Sequence, residues 1–213
     1  MTATINKTDQ SYLLLETLMR IGKEITVEGV SKEDFLSLCT TYPDLIFERE
    51  ANGMLIVLMP LFGGSAYREG KLIARINIWC ENHGEGMAFG AGGGFDLPSG
   101  ATKSPDVAWI SDERLAKTSL KEIENSFVPV VPDFIIELRS KTDKLEKVKR
   151  KMQHTWMASG VRLGWLIDPY EEKAYIYRED GSIEIVKDFD GSLSGEEVLP
   201  EFELKLKEFR VLG

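Results

Sequence analysis

The sequence predicts an α/β fold: a central mixed sheet flanked by helices, with a helix–hairpin extension on its N-terminal side. Three observations predict it. Residues 128–169 read strand, helix, strand, and two strands joined by a helix of that length pair in parallel through a crossover. Ala51-Asn52-Gly53 and Glu179-Asp180-Gly181 are hairpin signals, which add antiparallel pairing. Between them Leu72, Ile76 and Trp79, with Ile73 beside them, recur at helical spacing.

In chain order, residues 1–29 read as a peripheral segment. Within it Ser11 to Gly22 suits a short helix, ended by Gly22 and the β-branched run Ile25-Thr26-Val27. Residues 30–213 read as one domain. Ser31 starts a helix, with Glu33 and Asp34 in its first turn and Phe35, Leu36 and Leu38 as its apolar face. The strands Asp44 to Glu50 and Met54 to Leu58 flank the first hairpin turn. Ser65 to Asn82 is a helix stopped by His83-Gly84. Phe89 to Phe95 is glycine-rich and extended. Asp106 to Ile110 is a short strand after Ser104-Pro105, and Arg114 to Glu124 is a short amphipathic helix. Val128 to Ser140 is a strand. The helix after it takes Thr142 or Asp143 as cap and Gly160 as stop. Arg162 to Pro169 is a buried strand, and Lys173 to Tyr177 with Ser182 to Val186 form the second hairpin. Leu199 to Leu212 closes the domain.

Composition narrows the function classes. Of 213 residues, 43% are hydrophobic and 29% charged, as in a soluble globular protein. The first ten residues lack the apolar core of a signal peptide, and apolar runs such as Met54 to Phe62 are too short to span a bilayer. A cytoplasmic protein is expected, in which Cys39 and Cys80 are buried reduced thiols. Two cysteines and two histidines, His83 and His154, scattered singly do not make a zinc site. A net charge of −9 argues against a general nucleic-acid binder, since such binding neutralises phosphates with Lys and Arg. It leaves room for a nuclease, whose metal-binding carboxylates are themselves negative.

Two carboxylates stand out. Glu137 ends an apolar strand, and period two places Asp133, Ile135, Glu137 and Arg139 on one face. The carboxyl end of a buried parallel strand is where open α/β sheets bind ligands. Read as structure alone, Glu137 simply leaves the core beside Arg139. Asp106 opens another strand, and alone it reads as a turn residue. On neighbouring strands the pair could hold Mg²⁺, a hard cation that favours carboxylate oxygen. Residues 141–151 carry Lys141, Lys144, Lys147, Lys149, Arg150 and Lys151 against Asp143 and Glu146, a net +4 within this acidic chain. That run is either a solvated helix face or a phosphate-facing patch. Gly90-Ala91-Gly92-Gly93-Gly94 lacks the Lys-Ser/Thr of a phosphate loop and reads as a crowded or twisted strand. His83 reads as a cap and His154 as a surface residue; Trp109, Trp156 and Trp165 read as core.

Ser104-Pro105-Asp106, residues 132–140 (PDFIIELRS), the Lys151-Met152 pair and residues 160–169 (GVRLGWLIDP) together resemble the Uma-two family of restriction endonucleases, within the PD-(D/E)XK nuclease superfamily. The first hairpin, the helix around Glu69 to Trp79, residues 95–100 (FDLPSG) and residues 198–204 (VLPEFEL) extend the resemblance over residues 30–207. It implies a restriction-endonuclease-like sheet, a DNA substrate, Mg²⁺ or Mn²⁺ as cofactor and a homodimer. It implies Asp106 and Glu137 as metal ligands with the Leu138 carbonyl, and Glu69 as a further acidic residue from the first core helix. The superfamily pattern expects Lys where this chain has Arg139, which stays protonated and cannot serve as a base. The resemblance assigns the lysine role to Lys151, with Lys147 in reserve. Lys141-Thr142 stands where the family has Pro-Ser. A non-catalytic binding protein on the same fold is the rival reading, and a phosphatase or nucleotide hydrolase using the same metal pair is a third.

Overall fold

The computed structural model describes residues 25–58 and 60–212; the helix expected over Ser11 to Gly22 lies outside them. The chain divides into two compact units, the first running to Pro60 and the second from Leu61. The first is the expected helix and hairpin. Strand β1 (Ile25–Val27) leads to helix α1 (Lys32–Thr41), whose Ser31 cap accepts the Asp34 N–H. Strands β2 (Ile46–Arg49) and β3 (Leu55–Leu58) pair antiparallel, and β1 takes the other edge of β3. Of the apolar face expected for α1, Phe35 is buried and Leu36 is exposed.

The second unit is built on a six-stranded mixed sheet. Helix α2 (Gly63–His83) precedes β4 (Met87–Gly90), the short strands β5 (Phe95–Asp96) and β6 (Thr102–Lys103), and β7 (Val107–Ile110). Two short helices follow, α3 (Asp112–Leu115) and α4 (Leu120–Asn125), then β8 (Phe134–Leu138) and helix α5 (Leu145–Lys151). Strands β9 (Leu163–Asp168), β10 (Lys173–Arg178) and β11 (Ile183–Val186) complete the sheet, whose order is β11-β10-β9-β8-β7-β4. Within this sheet β8 and β9 pair in parallel, the crossover read from the sequence, and the other neighbours pair antiparallel. A small ribbon of β12 (Ser192–Ser194) and β13 (Glu203–Lys205) closes the chain.

Period two divides the core between the faces of the sheet. Ile136, Leu138, Trp165 and Ile167 face Leu72, Ile76 and Trp79 of α2, along with the C-terminal Phe202 and Leu204. Ile135, Leu166 and Tyr175 face Val148, Met152 and Trp156 from the α5 side. Gly164 permits that second packing, since a Cβ there would lie 2.8 Å from the Met152 methyl.

Four local expectations are corrected. The strand expected over 128–140 is regular only from Phe134, because Pro129 and Pro132 have no N–H for the ladder. The helix expected over 114–124 is two, each started by a serine: Ser111 caps Arg114 and Ser119 caps Glu122. The glycine run is a turn rather than one extended strand: Gly93 N–H donates to the Gly90 carbonyl at 2.9 Å. Neither Thr142 nor Asp143 caps α5. Lys144 does, without a side-chain bond, and Asp143 instead accepts the Ser140 N–H at 2.9 Å. Gly160 ends the helical segment as expected, at φ +100°. Cys39 and Cys80 are free and only half-buried.

Candidate active site

Asp106 and Glu137 come together through strand register. Antiparallel β7 and β8 pair Val107 with Ile136 and Ala108 with Ile135. One step further along that register places Asp106 opposite Glu137, and directly opposed residues share a face. The same step lets Asp106 Oδ2 accept the Leu138 N–H at 2.5 Å, tying the start of one strand to the end of the other. Glu69, on α2, stands beside Asp106 and within electrostatic reach of Glu137. Three carboxyls from three elements thus converge.

Lys151 answers them with a positive charge. Lys151 Nζ lies 2.9 Å from Glu137 Oε1 and donates to the Ser104 carbonyl at 3.0 Å. Lys147, one turn earlier, is exposed. Arg139 is engaged elsewhere: its Nη1 lies 2.6 Å from buried Asp168 and its Nε donates to the Asp143 carbonyl. Asp168 also accepts the N–H groups of Tyr170 and Glu171, so the Arg139–Asp168 pair braces the strand ends. The structure therefore puts Lys151 against Glu137 and leaves Arg139 holding the frame.

A residue read from the sequence as core turns out to belong here as well. Trp156 is fully buried, yet its indole Nε1–H donates to Glu137 Oε1 at 2.7 Å. Lys151 and Trp156 are five residues apart, too far round a regular α-helix to share a target. Between them Met152–Trp156 forms a π turn, in which the Met157 N–H donates to the Met152 carbonyl. The i→i+5 bond does for this pair what i→i+4 does in an α-helix, bringing both onto one face. A stray tryptophan on an apolar helix gives no such signal in sequence.

Crowding of the acids sets their protonation. Burial pushes the Asp106 carboxyl up to about 7, and the Glu69 charge adds to it, while the Leu138 N–H and Lys151 oppose. Burial also raises Glu69. Excess buried negative charge of this kind is what a divalent cation offsets. Among the described residues, no group of three or more His, Cys, Asp or Glu side chains stands at metal-ligating spacing. Asp106 and Glu137 offer hard carboxylate oxygens, one or two of which are what Mg²⁺ accepts while keeping several waters.

Comparison with known proteins agrees with this arrangement at the level of fold. Residues 32–207 match the Uma2 family, described as "Putative restriction endonuclease". The chain is similar to a crystal structure of "a putative nuclease belonging to DUF820" from Anabaena variabilis, with a TM-score of 0.71 and 22% identity. The match covers 85% of this chain and 97% of that one. No curated protein matches. No helix among the described residues is long and apolar enough to cross a membrane. The match over residues 32–207 takes in both carboxylate strands and Lys151, and the chain belongs to the Uma2 (Uma-two) family of restriction-endonuclease-like proteins.

Proposed function

We propose that the chain is a metal-dependent DNA endonuclease that hydrolyses phosphodiester bonds. The observation that carries this reading is the convergence of Glu69, Asp106 and Glu137, from three elements, beside Lys151. Asp106 and Glu137, with the Leu138 carbonyl, would hold Mg²⁺ or Mn²⁺. Bound there, the metal would supply Lewis-acid activation of water and of the phosphate. Lys151, held by Glu137 and the Ser104 carbonyl, carries a proton and a positive charge to where the phosphate gains negative charge. Glu69 would add a third negative charge beside the metal. Trp156 holds Glu137 in orientation. A homodimer of such chains would present two sites to two strands.

Titration calorimetry with Mg²⁺ and Mn²⁺ tests the metal assignment. Wild type should bind, and Asp106→Asn or Glu137→Gln should weaken binding by at least tenfold, because an amide is a poor ligand for a hard cation. Equal affinity in folded wild type and Asp106→Asn would remove Asp106 from the ligand set.

A further inference from the structure

We propose that the first turn of α2, completed by Arg68, is a phosphate-binding site, and that the phosphate it takes belongs to the backbone of a bound nucleic acid. The backbone assignment rests on the nuclease reading above; the anion site itself does not.

Helix α2 has 21 residues, and its cap position is Phe62, whose side chain accepts nothing. Its first turn, Gly63-Gly64-Ser65, contains no acidic residue. The Ser65 and Ala66 N–H groups bond back to the Phe62 carbonyl. The positive end of the helix dipole, with the Gly63 and Gly64 N–H groups, therefore has no side-chain acceptor. A Cβ added at Gly63 would meet nothing within 4 Å, so the turn is approachable from that side.

The second, independent observation is Arg68. This residue is 2% exposed, and its Nε has no hydrogen-bond partner. Its contacts are with one aromatic residue: Nη2 lies 3.3 Å from the Tyr170 hydroxyl, and the guanidinium stands 5.8 Å from the Tyr170 ring centre. No carboxylate among the described residues pairs with it. A buried guanidinium without an anion is strongly unfavourable, and its rarity is itself a sign of an intended partner. Helical side chains lean toward their own N-terminus. Arg68 does so: a Cβ at Gly64 would lie 3.6 Å from Nη1 and 3.9 Å from Nη2. The guanidinium therefore lies beside the first turn.

Helix N–H groups and a guanidinium fork converging on one spot suit an acceptor-only tetrahedral anion. The location selects the source. Tyr170 follows the carboxyl end of β9, which is parallel to β8, so the Arg68–Tyr170 pair sits at the same end of the sheet as Glu137. Gly64 precedes Glu69 by a helical rise of about 7.5 Å. That is comparable to the spacing of adjacent phosphates along one strand, whose rotation about the axis adds to the axial rise of about 3.4 Å per step. A strand reacting at Asp106 would thus lay a neighbouring phosphate on the α2 turn, where an acidic chain supplies the positive potential it otherwise lacks.

The test uses the full chain without metal, so cleavage plays no part. Amide resonances are followed while inorganic phosphate, and separately a short DNA duplex, is added to wild type, Arg68→Met and Gly64→Asp. Phosphate should move the Gly63, Gly64 and Arg68 Nε resonances of wild type. Arg68→Met should weaken phosphate and DNA binding about tenfold and lower the salt slope of DNA binding by about one. Gly64 has an ordinary helical backbone, and in Gly64→Asp the new carboxylate would itself face Arg68. That variant should melt higher than wild type and lose the phosphate response, which settles the matter if Arg68→Met does not fold. No phosphate shift at Gly63 and Gly64, or a Gly64→Asp variant that melts lower or still binds phosphate, overturns the site. A phosphate response with unchanged DNA affinity in both variants overturns the backbone assignment in favour of free phosphate.

Discussion

Burial and the neighbouring Glu69 charge set the protonation of Asp106. Its carboxyl, pushed up to about 7, holds a proton more tightly in the folded chain than in the unfolded one. It therefore favours the fold below about pH 4, the ordinary range of a carboxyl, and loses that contribution as pH rises through about 7. Metal-free protein should melt progressively lower from pH 5 to pH 8. Asp106→Asn, which cannot ionise, should show a flatter profile, and a thermal-shift series at fixed salt reads both. An identical pH dependence in the two proteins would mean that Asp106 is not the titrating group. Lys151→Ala should lower cleavage by about 10²-fold, the scale of one lost charge-stabilising group, while metal titration stays within a few-fold of wild type. At this scale the sequence brought Asp106 and Glu137 together as a pair on neighbouring strands, and the family resemblance supplied their roles. Trp156 was not legible, because an indole on an apolar helix face has the same pattern whether its N–H is used or not.

Among the elements, the π turn Met152–Trp156 is the one whose geometry determines what the site contains. Removing the exposed Gln153 shortens the segment by one residue and should restore a regular helix, separating Lys151 from Trp156 by rotation. That deletion should keep most of the melting temperature yet lose cleavage. Trp156→Phe keeps the ring and removes the donor to Glu137. A hydrogen bond to a charged group contributes about 1.5–3 kcal/mol. The variant should thus lose stability on that scale and bind Mg²⁺ more weakly; unaltered metal affinity would make Trp156 core alone. The π turn was not legible because hydrophobic spacing over ten residues tolerates either period. Other element errors share one cause, local side-chain chemistry overriding pattern. Serine caps split the helix expected over 114–124, and Asp143 bonds to Ser140 where it was expected to start α5. The parallel β8–β9 pair and both hairpins were legible, since apolar runs and turn residues state them directly.

For the whole molecule, the tension lies between a net charge of −9 and a polyanionic substrate. Lys141, Lys144, Lys147 and Arg150 are exposed on and just before α5, the helix that also delivers Lys151 to Glu137. Reversing two of them, Lys144→Glu with Lys147→Glu, should weaken DNA binding by at least tenfold at low salt and flatten its salt dependence, with little change in melting temperature. Metal-dependent cutting is read most directly from cleavage of supercoiled plasmid by wild type and Asp106→Asn, with Mg²⁺, Mn²⁺ and EDTA, on preparations whose melting temperatures are recorded together. Wild type should nick or linearise the plasmid with metal and not in EDTA, and an Asp106→Asn protein that remains folded should do neither. Folded Asp106→Asn cutting at the wild-type rate would contradict the proposed function.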